Sequence, residues 1–199
     1  MVCDRAGSLQ QCLSSCPSSV TSEAYVFIRK SGAAGLGHVG LGFLVAPSLY
    51  IYGGLENPFN GKVNPGDNNG FWIRNGTYNN MLCDMENPPV PNVPPYDTNY
   101  KKYTSQETPH ICDAVAQAES IYGQGYNLIQ FGNAAGNCLD AVYLILTSYG
   151  VDGMQNPSNV PAPNNWYAKL DASTWALTSF STPSNCVSRN VNCVDVVVS

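Results

Sequence analysis

Residues 36–45 read Leu-Gly-His-Val-Gly-Leu-Gly-Phe-Leu-Val, and no other stretch restricts the fold as tightly. A β-strand alternates its side chains, so Val39, Leu41, Phe43 and Val45 form one unbroken apolar face. His38 shares the opposite face with Gly40, Gly42 and Leu44. The apolar face demands a core on one side of a sheet. The glycine floor lets another element, or a substrate, come close on the other. Taken alone, the plainer reading is a histidine at a strand end, with glycines serving a tight bend.

The neighbouring segments extend this strand into a sheet. Residues 24–28 are β-branched and aromatic, and residues 49–53 follow a Pro47-Ser48 turn, so three strands with short connections predict an antiparallel meander. From 57 to 103 the chain is rich in asparagine and proline, and it reads as a loop insertion around a short strand at 71–74. Two helices are expected in 108–150. The first has Thr108 as N-cap and Pro109 in its opening turn, and runs to about Tyr122. The second opens near Asn137 and ends at Gly150, with Leu139, Val142, Leu146 and Tyr149 on one stripe. Residues 151–199 read as loops and short strands, the last at 194–198. The expected class is α+β, an antiparallel β-sheet packed against helices, in a single domain over 1–199 with the His-bearing strands in 24–56.

A chain of 199 residues is large enough to bury a core of its own. Charged residues are only 12 % of it and the net charge is -5, with no basic run longer than two, which argues against a nucleic-acid partner. The longest uncharged stretch, 31–55, carries seven glycines and a proline, so no membrane span is expected. Residues 1–20 show no continuous apolar core of a signal peptide. The eight cysteines include no Cys-x-x-Cys and are accompanied by two histidines, so neither a metal site nor a cofactor is expected. Disulfides explain the count better and point to an oxidising, secreted or extracellular setting. Cys186 with Cys193, and Cys3 with Cys12 or Cys16, are the sequence-local pairings.

Cys138 stands out because it follows Asn137 in the first turn of the buried helix. Unpaired N–H groups and the positive end of the helix dipole both favour thiolate there. A thiolate needs a base within reach, and His38 stands on a strand face with open space before it. No Asp, Glu, Lys or Arg falls in 31–55 or in 121–138, so both segments suit a buried, mutually attracting pair. For any one of eight cysteines, burial or a disulfide is the plainer alternative. His110 and Cys112 lie two apart on a helix and point away from each other, so His110 reads as a surface or cap residue. Asp140, in the first turn after Cys138, is explained by the helix dipole.

The order Gly-His38-Val-Gly, then Tyr126-Asn-Leu leading to Asn137-Cys138, then Gly150-Val, Pro161 and Trp166, resembles the circularly permuted NlpC-type papain-like thiol enzymes. That superfamily includes the lecithin–retinol acyltransferase-like and deSUMOylating-isopeptidase-like branches. The resemblance covers residues 24–56 and 121–170. It implies a permuted papain-like fold in which Cys138 is the nucleophile and His38 the base. It also implies an oxyanion hole including the Cys138 N–H, and a polar residue on the next strand that orients the imidazole. Here that position falls to Tyr52 or Tyr50, with Glu56 just past the strand as a further candidate. The implied activity is a cysteine peptidase or amidase acting on a peptide or isopeptide amide, with peptidoglycan-like cell-wall peptides as a natural substrate. The alternatives are a thiol acyltransferase, or an inactive secreted binding module on the same scaffold.

Overall fold

The computed structural model describes residues 20–57, 62–127, 136–184 and 186. Its centre is a six-stranded, fully antiparallel sheet. The strands are β1 (Ser22–Arg29), β2 (His38–Ala46), β3 (Leu49–Leu55), β4 (Phe71–Gly76), β5 (Asn99–Ser105) and β6 (Trp175–Ser179). They lie side by side in the order β4-β3-β2-β1-β5-β6. The expected meander is β1 to β3. The β2–β3 hairpin contains a bulge: Ala46 pairs with Leu49, but the next pair is Leu44 with Tyr50, leaving Val45 as an extra residue.

Among the described residues four α-helices cover the sheet: α1 (Tyr78–Glu86), α2 (Ile111–Ile121), α3 (Cys138–Tyr149) and α4 (Pro163–Lys169). Helices α2 and α3 pack on the face formed by Val26, Ile28, Val39, Leu41, Phe43, Ile51 and Leu55, and this aliphatic layer is the main core. The other face is aromatic, with Tyr25, Phe27, Tyr52, Trp72, Tyr96 and Tyr100 gathered with Met81, Leu82 and Met85 of α1. The glycine floor of β2 is what lets α1 lie so close. A Cβ on Gly42 would stand 2.4 Å from Met81 Sδ.

The 57–103 segment departs from its expected loop character. It contributes α1, opened by a Thr77–Asn80 capping box, and β5, which pairs with β1 inside the sheet. Helix α2 begins at Ile111 instead of after Thr108. His110 donates its N–H to Tyr149 O at 2.9 Å, which ties the approach to the helix to the end of α3. Cys186 bonds to Cys83 on α1, 103 residues away, and not to its near neighbour Cys193. Cys112 is disulfide-bonded as well. Cys3, Cys12, Cys16, Cys193 and the strand expected at 194–198 lie outside the described residues. Among the described residues no helix is long and apolar enough to cross a membrane.

Candidate active site

Four element ends meet at one end of the central strands. Arg29 ends β1, His38 begins β2, Glu56 follows β3 directly and Cys138 opens α3. The strand residues are adjacent because of register. Arg29 pairs with His38, and the Gly40–Gly54 pairing, continued two residues along, sets His38 opposite Glu56. Cross-strand partners share a face, so the three side chains converge.

Cys138 is placed by its cap. Asn137 Oδ1 accepts from the N–H groups of Leu139 at 2.9 Å and Asp140 at 3.2 Å. That cap does not take the N–H of Cys138 itself, the donor an oxyanion hole needs. Asp140 is fully buried and its Oδ2 accepts from Gly136 N at 3.3 Å, bracing the chain as it enters the helix. Cys138 is a free thiol, 2 % exposed and within hydrogen-bonding reach of the His38 ring.

Behind the imidazole stands Glu56. Its Oε2 lies 3.0 Å from His38 Nε2, a close ionic contact set off the axis of a linear N–H···O bond. The same oxygen accepts from Arg29 Nη1 at 3.0 Å, and Oε1 accepts from Trp72 Nε1 at 3.1 Å and Tyr96 Oη at 2.7 Å. A buried carboxylate is costly unless its charge and lone pairs are matched, and here both oxygens are engaged. Gly54 makes room for this: a Cβ there would stand 2.5 Å from Tyr96 Oη. Arg29 in turn donates from Nε to Pro95 O and lies 4.4 Å over the Tyr96 ring.

Electrostatics follow from that set. Burial by itself would lower the His38 pKa, but the charges of Cys138 and Glu56 outweigh it and hold the imidazole at about 10. Burial would raise Glu56, yet the facing His38 and Arg29 charges and the Tyr96 hydrogen bond keep it well below the usual carboxylate range. Burial and the neighbouring Glu56 charge push the Tyr96 phenol well above its ordinary value, so it stays a donor. Burial does the same to Tyr126, helped by the charges of Cys138 and Glu56. A cleft of about 450 Å³ opens beside the cluster, walled by Arg29, His38, Glu56, Tyr126, the 31–34 turn and the 92–94 loop.

Compared with family models, with curated proteins and with solved structures, this chain matches none. The site therefore has to be read from its own geometry.

That geometry brings His38 and Cys138 together and leaves the two expected tyrosines elsewhere. Tyr52 pairs with Gly42, four residues along the strand from His38, or about 13 Å at strand rise. Its hydroxyl donates to Asp84 Oδ2 at 2.6 Å, and that of Tyr50 to Glu23 Oε1 at 2.9 Å. Glu56 holds the place beside the imidazole. Arg29, Trp72 and Tyr96 were not singled out by the sequence, although Arg29 could have been: it ends the strand next to the histidine. His110 is exposed, with Asp113 Oδ2 at 3.7 Å. Among the described residues no three His, Cys, Asp or Glu side chains group as metal ligands.

Proposed function

We propose that this protein is a cysteine hydrolase of the permuted papain-like type, with Cys138 as nucleophile, His38 as base and acid, and Glu56 as the orienting carboxylate. The observation that carries this reading is a free Cys138 at a helix head, in reach of an imidazole backed by a buried carboxylate. Cys83, Cys112 and Cys186 are disulfide-bonded, whereas Cys138 is not. The chain order, His strand before Cys helix, is the permuted one.

In the reaction, the Cys138 thiolate attacks an amide carbonyl and the oxyanion is held at the head of α3. Protonated His38 gives its proton to the leaving amine, and a thioester on Cys138 remains. His38, now neutral, takes a proton from water, whose oxygen attacks the thioester; the acid leaves and the thiolate–imidazolium pair returns. Glu56 stabilises the imidazolium at both stages without itself taking a proton, because its neighbours hold it ionised. A peptide or isopeptide amide, as in cell-wall peptides, is the proposed substrate class.

The test is limiting iodoacetamide on the native protein across pH 5 to 9, with peptide mapping. Selective labelling of Cys138 at pH 6, lost in His38→Ala, is the expected result. Burial of Cys138 to 2 % exposure favours one rival, an inactive binding module on the same scaffold. Labelling only above pH 8, or none, would overturn the hydrolase reading in favour of that rival.

A further inference from the structure

The turn that joins Arg29 to His38 is short, exposed and conformationally unfavourable. Ala33 and Ala34 have φ of 46° and 56°, and Gly35 and Gly37 follow at 90° and 97°. Two consecutive left-handed alanines carry a steric penalty that a free loop would relieve by changing conformation. Inside the turn, Gly32 O accepts from Gly35 N and Gly37 N, both at 2.9 Å. The carbonyls of Lys30, Gly35 and Leu36 face outward instead, and one residue takes all three.

That residue is Asn164, at the head of α4 and more than 120 residues away in sequence. Its Nδ2 donates to Lys30 O at 3.1 Å and Gly35 O at 3.0 Å, and its backbone N–H donates to Leu36 O at 3.0 Å. Two carbonyls facing one amide end fix which end is nitrogen. The amide also lies close against Gly37, where a Cβ would stand 2.3 Å from Oδ1 and 2.8 Å from Asn164 N. Helix α4 is itself anchored, since Trp166 is buried and donates from Nε1 to Gln155 O at 2.7 Å.

The turn bears directly on the base. A Cβ on Gly32 would stand 2.6 Å from His38 Cβ and 3.2 Å from His38 N, so Gly32 and His38 are in contact with no slack between them. The same turn, residues 31–34, forms a wall of the cleft. A shift of the turn therefore moves the imidazole and the cleft wall together.

We propose that Asn164 is a positioning residue: by clamping the 30–37 turn it fixes the His38 ring between Cys138 and Glu56 and sets that wall of the cleft. This rests on the reading of His38 as the base of Cys138, and the test separates the two.

Asn164→Ala removes both side-chain bonds of the clamp and leaves only the backbone bond to Leu36 O, and Asn164→Asp keeps the side chain's shape while removing its donor. Two readouts apply to each variant and to the parent protein: the pH profile of Cys138 alkylation, and the NMR titration of the His38 ring, which has only His110 to be distinguished from. In both variants alkylation at pH 6 should fall at least ~10-fold while the rate at pH 9 stays within ~2-fold, since hydroxide then replaces the base. The His38 midpoint should drop towards that of an ordinary histidine. A residue that only stabilised the fold would lower Tm and leave both profiles in place, and that result overturns the proposal. If the parent protein is labelled only above pH 8 yet its His38 titration still moves in the variants, the hydrolase reading fails and the positioning role stands.

Discussion

One oxygen of Glu56 serves two cations: Oε2 lies 3.0 Å from His38 Nε2 and 3.0 Å from Arg29 Nη1. Glu56→Gln keeps the shape and removes the charge, leaving a buried guanidinium uncompensated. Losing one partner of a buried pair costs about 3–5 kcal/mol. Thermal and urea unfolding should show that loss, and Cys138 alkylation at pH 6 should fall at least ~10-fold because the imidazolium has lost its counter-charge. Undiminished alkylation in Glu56→Gln would remove Glu56 from the site.

The tyrosines of β3 make the converse prediction. Tyr52→Phe deletes the bond to Asp84 and Tyr50→Phe the bond to Glu23, each worth about 1 kcal/mol of stability. Neither should change the pH profile of Cys138 alkylation. A shifted profile in Tyr52→Phe would return the orienting role to that residue.

Stability should peak on the acid side of neutrality. His38 is raised to about 10 from 6.5, so its contribution is complete below pH 6.5 and is lost as pH rises towards 10. Glu56 is depressed below 4.5, so its contribution is complete above that pH and is lost as pH falls. The two together place the maximum of Tm between about pH 4.5 and 6.5. In His38→Ala the alkaline decline between pH 7 and 10 should flatten, and an unchanged decline would show that other groups cause it.

Gly54 gives a steric test. An alanine there meets Tyr96 Oη at 2.5 Å and Glu56 Oε1 at 3.0 Å, so Gly54→Ala should cost about 1–3 kcal/mol and reduce alkylation at pH 6. Gly123, with nothing within 4 Å of its Cβ position, is the control, and Gly123→Ala should stay within about 0.5 kcal/mol of the parent.

Sequence patterning showed the meander, the buried helix and its cysteine, because strict alternation and a broad apolar stripe are local signals. It did not show β5, whose Asn-Tyr-Lys-Lys-Tyr-Thr-Ser lacks the β-branched density of a buried strand. That segment is a strand because β1 and β6 pair with it on both sides. Helix α1 was hidden for a related reason: its cap is a Thr77–Asn80 box inside a run that otherwise reads as turn. Which residue stands beside the imidazole turned on pairing register, which no periodicity within one strand contains. Tyr50 and Tyr52 do share a face with His38, but at the wrong height along the sheet.

The extra residue at Val45 decides more than the local twist of the hairpin. Closed straight from the Ala46–Leu49 pair, the same two strands would set Asn57 against His38 and turn Glu56 towards the aliphatic layer. Such a slipped isomer would retain a two-stranded ladder and have no acid behind its imidazole. It is disfavoured because the slip would also turn Tyr50 and Tyr52 into that layer and bring Ile51 and Leu55 out of it. The apolar residues of β3, which face the opposite side of the sheet from the imidazole, thus fix which residue stands beside it.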